Sequence, residues 1–218
     1  MKITPLKIFV SDTLGSVSAE FIEADSSAAL LTLAHGAGAG MNHPFMSTLA
    51  KELAHHGIST LRFNFPFIEN KKGRPDMLAI AHKTIEAAIN KGREFLPGVP
   101  LFASGKSFGG RMSSQYLSKA KPEFVKGIIF YGFPLHPLGK PSVDRAEHLK
   151  DIKIPTLFIQ GTRDKLAEWS LTKNVINNLS QATLHKIEGA DHAFKAGKQN
   201  LIPTLAMLTS QWIKTLSS

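Results

Sequence analysis

The strongest structural signal in the chain is LFASGKSFGG, residues 101–110. An apolar, strand-like run leads directly into GKSFG (105–109), which matches the pattern G-x-S-x-G, and a helical period follows. In this pattern a serine lies on a tight turn from strand to helix, in an unfavourable backbone conformation that raises its Oγ above the sheet. The residues two positions to either side must lack a side chain, so that strand and helix can approach each other. The stretch therefore predicts a strand, a sharp turn at Ser107 and a helix over 108–120.

The same residues also resemble the end of a phosphate-binding loop, because GKS (105–107) matches G-K-[ST]. That loop needs a further glycine five positions before Gly105, where this chain has Pro100. The predicted strand also runs straight into Gly105 and leaves no room for a loop that wraps around phosphates. We therefore favour the serine interpretation over nucleotide binding.

Strand-like and helical segments alternate along the rest of the chain. Strands are predicted at 17–24, 29–34, 59–65, 100–104, 125–132, 156–160 and 183–187, and further helices at 45–56, 76–94, 168–179 and 201–216. Several strands are continuous apolar runs, which is typical of a parallel sheet covered on both faces. The first is predicted to be an antiparallel edge strand, with KIFVSD (7–12) as its hairpin partner. The pattern predicts one α/β domain over 1–218, with a doubly wound, mostly parallel sheet flanked by helices.

Composition narrows the class of protein. The 218 residues, 43% of them hydrophobic, suffice for a substantial core and exclude intrinsic disorder. Apolar runs such as 28–34 are far shorter than the roughly 20 residues that span a bilayer, and the N-terminus lacks the pattern of a secretory signal. Cysteine is absent, which excludes disulfides and thiolate chemistry. We expect a cytoplasmic protein without a membrane partner.

The net charge of +9 raises the question of a nucleic-acid partner. However, the basic residues are scattered, and KKGR (71–74) forms the one dense cluster. No aromatic RNA-binding signature or zinc finger accompanies them. We interpret the charge as a basic, solvated surface and expect no nucleic-acid partner.

A second glycine-rich segment, LLTLAHGAGAG (30–40), follows another predicted strand. Small residues let the backbone approach a carbonyl oxygen closely, and an ester reaction needs two amide donors at that position. We expect these donors to be the amides of Phe108 and Ala37, with Gly38 as the alternative to Ala37. Met41 and His43 lie beside this loop and are predicted, with Phe45, to line a pocket. A glycine-rich turn without function is the alternative interpretation.

Two further polar residues follow later predicted strands. Asp164 comes just after TLFIQG, and His192 comes just after the last predicted strand. The order Ser107, Asp164, His192 is that of the triad in one class of serine hydrolase. Taken singly, the aspartate suits a turn and the histidine suits a polar loop. Asp191, Glu168 and Asp144 are weaker candidates for the acid.

These motifs together resemble the α/β-hydrolases. The blocks that carry the likeness are LAHGAGAGMNHPFM (33–46), LRFNFPF (61–67), SGKSFGGRMSS (104–114), GTRD (161–164) and GADHAF (189–194). They are most similar to the small dienelactone-hydrolase-like branch, which includes relatives that are testis-expressed or belong to histone-acetyltransferase complexes. The resemblance implies a Ser–His–Asp triad that hydrolyses an ester-like bond without metal or cofactor. True dienelactone hydrolases typically use a cysteine nucleophile, so the serine here puts dienelactone itself in doubt.

The spacing also constrains the substrate. The segment between Phe133 and Pro155 is too short for a cap domain, so we expect an open α/β-hydrolase core. The expected partner is a small, accessible ester or thioester. Lys106 and Arg111 flank the serine and favour an anionic substrate if they face the pocket, although a solvated position is the simpler expectation. Phe63, Phe65 and Phe67 are expected in the core.

Two other functions are compatible with this fold. A non-catalytic binding or scaffold protein retains the fold without needing the three polar residues. An acyltransferase uses the same three residues but passes the acyl group to an alcohol or thiol. The sequence favours the esterase-like hydrolase over the scaffold because all three residues and the glycines are present.

Overall fold

The computed structural model describes residues 1–216, and in this part of the chain eight strands form one sheet. The strands are β1 (Lys2–Ser11), β2 (Gly15–Glu23), β3 (Ala29–Ala34), β4 (Ile58–Phe63), β5 (Leu101–Lys106), β6 (Val125–Tyr131), β7 (Thr156–Gly161) and β8 (Ala182–Ile187). Their order across the sheet is β1-β2-β4-β3-β5-β6-β7-β8. The strands from β3 to β8 are mutually parallel, while β1 and β2 form an antiparallel extension beside β4.

Helices cover both faces of this sheet. They are α1 (Pro44–His55), α2 (Pro66–Glu69), α3 (Leu78–Phe95), α4 (Phe108–Ala120), α5 (Trp169–Asn177) and α6 (Ile202–Thr215), together with a 3₁₀ helix at Asp144–Asp151. The helices α1 and α6 pack on one face, and α3, α4 and the 3₁₀ helix pack on the other. The predicted α/β class, with a mostly parallel sheet flanked by helices, is confirmed.

Two apolar cores lie between these layers, one on each face of the sheet. Side chains alternate between them along β3, because Leu30 packs into the core of α3 and α4, whereas Leu31 and Leu33 pack into that of α1 and α6. Every residue of β3 is buried as a result. This double coverage explains the continuous apolar runs in the sequence. Phe63, Phe65 and Phe67 lie in the core as expected, with at most 1% of each exposed.

The antiparallel extension corrects one prediction. The sequence pattern indicated an edge strand at 17–24, but β2 lies between β1 and β4. The predicted hairpin is present, and it extends from the Lys2–Glu23 pair to the Ser11–Gly15 pair. The edge strand is therefore β1. The apolar and polar residues of β2 alternate because one face of this strand is covered less than the other. An edge strand shows the same alternation, so the pattern does not distinguish the two positions.

Other boundaries differ by a few residues for local reasons. The predicted strand 59–65 ends at Phe63, because Pro66 begins the short helix α2, which the sequence analysis did not predict. Helix α1 ends at His55, and Gly57 beyond it has a φ of +74°, a conformation that glycine adopts without strain.

The connection from β6 to β7 holds the 3₁₀ helix and no cap domain, in agreement with the expected open core. Within residues 1–216, no helix combines the length and apolar character that a membrane crossing requires. The carboxyl ends of β3, β5, β7 and β8 meet at one edge of the sheet, since parallel strands point the same way. In α/β sheets this edge is where ligands bind.

Candidate active site

Ser107 occupies the sharp turn between β5 and α4. Its backbone has φ of +51° and ψ of −115°, a strained conformation for a residue with a side chain. A Cβ on Gly105 would lie 2.4 Å from the Gly110 nitrogen, and one on Gly109 would lie 2.4 Å from the Ala34 oxygen. Both separations are far below van der Waals contact, so the turn requires glycine at these two positions. The steric reason for the G-x-S-x-G pattern is therefore present in this chain.

Three polar side chains form a chain of hydrogen bonds at the sheet edge. His192 Nε2 lies 2.8 Å from Ser107 Oγ, and His192 Nδ1 lies 2.7 Å from Asp164 Oδ2. With the carboxylate ionised, Nδ1–H donates to Asp164, so Nε2 is free to accept the hydroxyl proton of Ser107. The three residues singled out in the sequence are thus brought together, with the imidazole oriented as a general base needs.

The Asp164 carboxylate is held from several sides. Gln160 Nε2 donates to its Oδ2 at 2.7 Å, and the Leu166 amide donates to its Oδ1 at 2.8 Å. Burial opposes ionisation of this carboxyl. However, the hydrogen bond and charge of His192, the Leu166 amide and the nearby Lys106 ammonium together hold the pKa of Asp164 below its ordinary value. The carboxylate is therefore ionised at neutral pH and able to stabilise an imidazolium.

Gln160 is a supporting residue that the sequence analysis missed. It is fully buried, and besides donating to Asp164 its Oε1 accepts a hydrogen bond at 2.9 Å from the Phe133 amide after β6. It thereby links the ends of β6 and β7 behind the aspartate. The available signal was a glutamine at the end of an otherwise apolar strand, TLFIQG.

The alternative acids from the sequence analysis do not reach the imidazole. Asp191 Oδ1 accepts hydrogen bonds from the amides of Ala193 and Lys195, at 2.9 and 2.8 Å, and so organises the loop that carries His192. Glu168 is exposed and accepts a hydrogen bond from Ser170. Asp144 begins the 3₁₀ helix.

The glycine-rich loop after β3 passes close to the serine. A Cβ on Gly36 would lie 3.7 Å from Ser107 Cβ, and Ala37 and Gly38 line the same cavity as Ser107. Phe108, which begins α4, has a buried side chain that packs edge-on against Phe65. Phe108 is not among the residues that line the cavity, so its predicted role rests on its backbone amide, which directly follows Ser107 in the chain.

His35 fixes the start of this loop. Its ring is buried, Nε2 accepts from the Phe65 amide at 3.0 Å, and Nδ1–H donates to the Gly36 oxygen at 2.7 Å. Burial lowers the pKa of His35 to about 4, although the bond to Gly36 opposes the shift. At neutral pH the ring is therefore uncharged, with one nitrogen donating and the other accepting. The motif places His35 at the start of the loop, but nothing in the sequence indicates this role.

The far end of the loop is anchored by an ion pair whose arginine is buried and whose glutamate is half-buried. Arg62 on β4 pairs with Glu20 on β2 and donates a hydrogen bond to the Met41 oxygen, while the Met41 amide donates to Asn64 Oδ1 at 2.8 Å. Met41 itself is 7% exposed and is not among the cavity-lining residues. The expectation that it lines the pocket is therefore not met, because its backbone bonds turn the residue into the protein.

The cavity beside Ser107 and His192 has a volume of about 500 Å³. His43 lines it as expected and caps helix α1, since its Nδ1 accepts from the Phe45 amide at 3.2 Å. The apolar residues that line the cavity are Ala37, Ala39, Phe45, Met46, Leu166 and Ala193. The surroundings of the serine are thus mainly apolar.

Of the basic residues near the turn, Lys106 alone lines the cavity. The solvated position expected for it is wrong, since its ammonium contacts His192 and two aromatic rings. Residues 71–74 are exposed and do not line the cavity. Arg111 lies instead on α4, near Arg145 of the 3₁₀ helix. In residues 1–216, no group of three or more histidine, aspartate or glutamate side chains is arranged to hold a metal ion.

Solved structures with the same architecture come from several bacteria. Dienelactone hydrolase from Anabaena variabilis superposes with a TM-score of 0.77 at 17% identity, over 98% of this chain and 97% of its own. An alpha-beta serine hydrolase homologue from Coxiella burnetii gives 0.77 at 22% identity, over 97% of each chain. A Xanthomonas campestris protein, described as an a/b serine hydrolase without lid, gives 0.71 at 18% identity, over 99% and 94%.

At these identities the superpositions establish the fold alone. The sequence itself carries the stronger result, because residues 27–214 match the family model for the alpha/beta hydrolase domain. The match spans β3 to α6 and therefore includes the serine turn, the glycine-rich loop and the loops bearing Asp164 and His192. The chain therefore belongs to the alpha/beta hydrolase domain family.

Proposed function

We propose that this chain is a serine hydrolase that cleaves a carboxylic ester or thioester of a small, accessible substrate. The observation that carries the proposal is the hydrogen-bonded chain from Asp164 through His192 to Ser107, with distances of 2.7 and 2.8 Å. Such a chain converts a weakly nucleophilic hydroxyl into a nucleophile. Within its family, we assign the chain to the small dienelactone-hydrolase-like branch on the block SGKSFGGRMSS.

The proposed reaction begins with attack of Ser107 Oγ on the substrate carbonyl carbon, while His192 Nε2 takes the hydroxyl proton. Asp164 keeps Nδ1 protonated and stabilises the imidazolium that results. When the tetrahedral intermediate collapses, the bond to the alcohol or thiol breaks, and His192 returns the proton to that leaving group. Water then attacks the acyl-enzyme by the same route and releases the acid.

The developing oxyanion needs donors that are already in place. The amide of Phe108 lies at the start of α4, where the first amides of a helix are free of intrahelical partners. The second donor is the amide of Ala37 or of Gly38, both of which line the cavity. His35 and the Arg62–Glu20 pair hold the two ends of that loop, so the donors require little rearrangement when a substrate binds.

The cavity indicates the substrate class. A volume of about 500 Å³ with a mainly apolar lining accommodates a short acyl or aromatic group. The connection from β6 to β7 carries no cap domain, so the entrance is open and an extended leaving group finds room outside. We therefore propose small esters with a short apolar acyl part.

The direct test is hydrolysis of p-nitrophenyl acetate, butyrate and octanoate and of an acetyl thioester, with and without Ser107→Ala. We expect turnover that favours the shorter chains, and a loss of at least about 1,000-fold in kcat for the variant. The matched control is Ser118→Ala, which removes a hydroxyl near the other end of α4 and should leave turnover unchanged. A wild-type chain inert toward all four substrates would contradict the proposal and favour a scaffold role. Ester formed from an added alcohol would instead favour acyl transfer.

A further inference from the structure

The side chain of Lys106 connects the strand before the serine to the loop that carries the histidine. Lys106 is the last residue of β5, and its Nζ donates a hydrogen bond to the backbone oxygen of His192 at 2.5 Å. The two residues are 86 positions apart in the chain. The bond joins the main chain at His192 directly to the strand that positions Ser107.

Two aromatic rings enclose the same ammonium. Nζ lies 5.8 Å from the ring centre of Phe45 on α1 and 5.3 Å from that of Phe194 in the histidine loop. The two rings stack on each other, with centres 5.9 Å apart. The two distances from Nζ to a ring centre are within the range of attraction between a cation and an aromatic face. The ammonium thus contacts β5, α1 and the loop of His192 at once.

A glycine provides the space for this arrangement. A Cβ on Gly132, just after β6, would lie 3.1 Å from Lys106 Nζ and 3.7 Å from Asp164 Oδ2. These distances also place the ammonium near the carboxylate that orients His192. Burial lowers the pKa of Lys106 to about 8, and the charges of Asp164 and Asp191 oppose that shift. At pH 7 the side chain is therefore still a cation.

We propose that Lys106 is a positioning residue that holds His192 in place against Ser107 through the backbone oxygen of the histidine. The inference rests on the proposed function and goes beyond it. It gives a role in the reaction to Lys106, which occupies the variable position before the serine in G-x-S-x-G. Lys106 does not touch the reacting atoms in this role. Without it, the histidine loop loses its direct bond to β5, and the imidazole spends less time at hydrogen-bond distance from the serine.

The experiment compares Lys106→Met with the wild type on p-nitrophenyl acetate, a neutral ester, at pH 7. We expect kcat to fall about 10- to 100-fold with KM changed less than about twofold, as for a misplaced catalytic group. The control is Lys173→Met, which removes an equivalent charge from the exposed face of α5 and should change neither quantity.

A second variant keeps the test decisive if Lys106→Met folds poorly. Lys106→Gln retains an N–H donor but no charge, so it should keep more of kcat than the methionine variant. Wild-type kcat in both variants would overturn the inference.

The substrate's charge separates positioning from substrate recognition. If the variants lose kcat/KM only toward an ester bearing a carboxylate, and through KM, Lys106 binds the substrate and the positioning role is wrong. If the wild type itself hydrolyses no ester, the proposed function fails and this inference fails with it. An active wild type with unaffected Lys106 variants refutes the positioning role alone.

Discussion

The Nε2 atom of His192 lies 2.8 Å from the Oγ atom of Ser107, although 85 positions separate the two residues along the chain. The fold creates this proximity because β5 and β8 are parallel members of one sheet and end at the same edge. The serine is raised above that edge by its turn, and the histidine reaches it from a loop.

The first prediction concerns the carboxylate behind the histidine. Asp164→Asn keeps the size of the side chain but removes the charge that, in the proposed mechanism, fixes the tautomer of the neutral imidazole and stabilises the imidazolium. We expect kcat for a p-nitrophenyl ester to fall about 1,000- to 10,000-fold, with KM little changed. Steady-state kinetics beside Glu168→Gln, which alters an exposed carboxylate, provide the comparison. Similar losses in both variants would argue against Asp164 as the orienting acid.

A second prediction concerns the close approach of α4 to β3. In Gly109→Ala the added methyl group meets the backbone oxygen of Ala34 at 2.4 Å, and backbone atoms cannot move aside cheaply. We expect a loss of more than about 3 kcal/mol in the free energy of unfolding, measured with urea. Gly73→Ala adds the same methyl group where no atom lies within 4 Å, and it should change stability by less than about 0.5 kcal/mol. Equal stability of the two variants would show that the turn tolerates a side chain.

The strain at Ser107 gives a third prediction. At φ of +51° and ψ of −115°, glycine is unstrained but alanine is not. Ser107→Gly and Ser107→Ala both lack the hydroxyl and should be equally inactive. The glycine variant should be more stable by about 1 kcal/mol or more, measured by urea unfolding. If the alanine variant proves equally stable or more so, the backbone at this position is not strained.

The pH dependence of stability follows from His35. Its pKa is about 4 in the folded protein, against an ordinary value of 6.5. Between these values the unfolded chain binds a proton that the folded chain excludes, so the stabilisation is complete above pH 6.5 and is lost as pH falls toward 4. Burial lowers the pKa values of His82 and His148 to about 4 as well, which adds to the effect in the same direction.

For His35 alone, we expect the free energy of unfolding to fall by about 2–3 kcal/mol between pH 7 and pH 4.5. The measurement is urea unfolding at the two pH values, beside His35→Gln. This variant should be less stable than wild type at pH 7 but should lose less stability on acidification. An equal loss in both proteins would mean that His35 is not the group that resists protonation.

Much of the architecture was predictable from the sequence because it depends on local patterns. Continuous apolar runs indicated strands covered on both faces, and GKSFG placed Ser107 between a strand and a helix. The glycines at 105 and 109 have a single steric explanation, so a short motif located the turn. The short helix α2 was missed because its four residues, which begin at Pro66 directly after the predicted strand 59–65, are too few to show a helical period.

Features that depend on contacts between distant segments were not predictable. A lysine normally lies at the surface, and nothing near Lys106 in the sequence identifies the His192 oxygen or the rings of Phe45 and Phe194 as its partners. The buried Gln160 and the neutral state of His35 likewise depend on residues from other strands. Met41 was assigned to the pocket from its position beside the glycine-rich loop, whereas Arg62 and Asn64 hold its backbone inside the protein.

The most direct test of the central claim is the reaction of the intact protein with a fluorophosphonate, followed by mass spectrometry. The reagent phosphonylates an activated serine hydroxyl and releases fluoride. We predict one adduct per chain, mapped to the peptide containing Ser107, absent from Ser107→Ala and formed at least about 100-fold more slowly in His192→Ala. An unmodified wild-type chain, or labelling of Ser107 at the same rate without the histidine, would contradict the proposed activation of the serine.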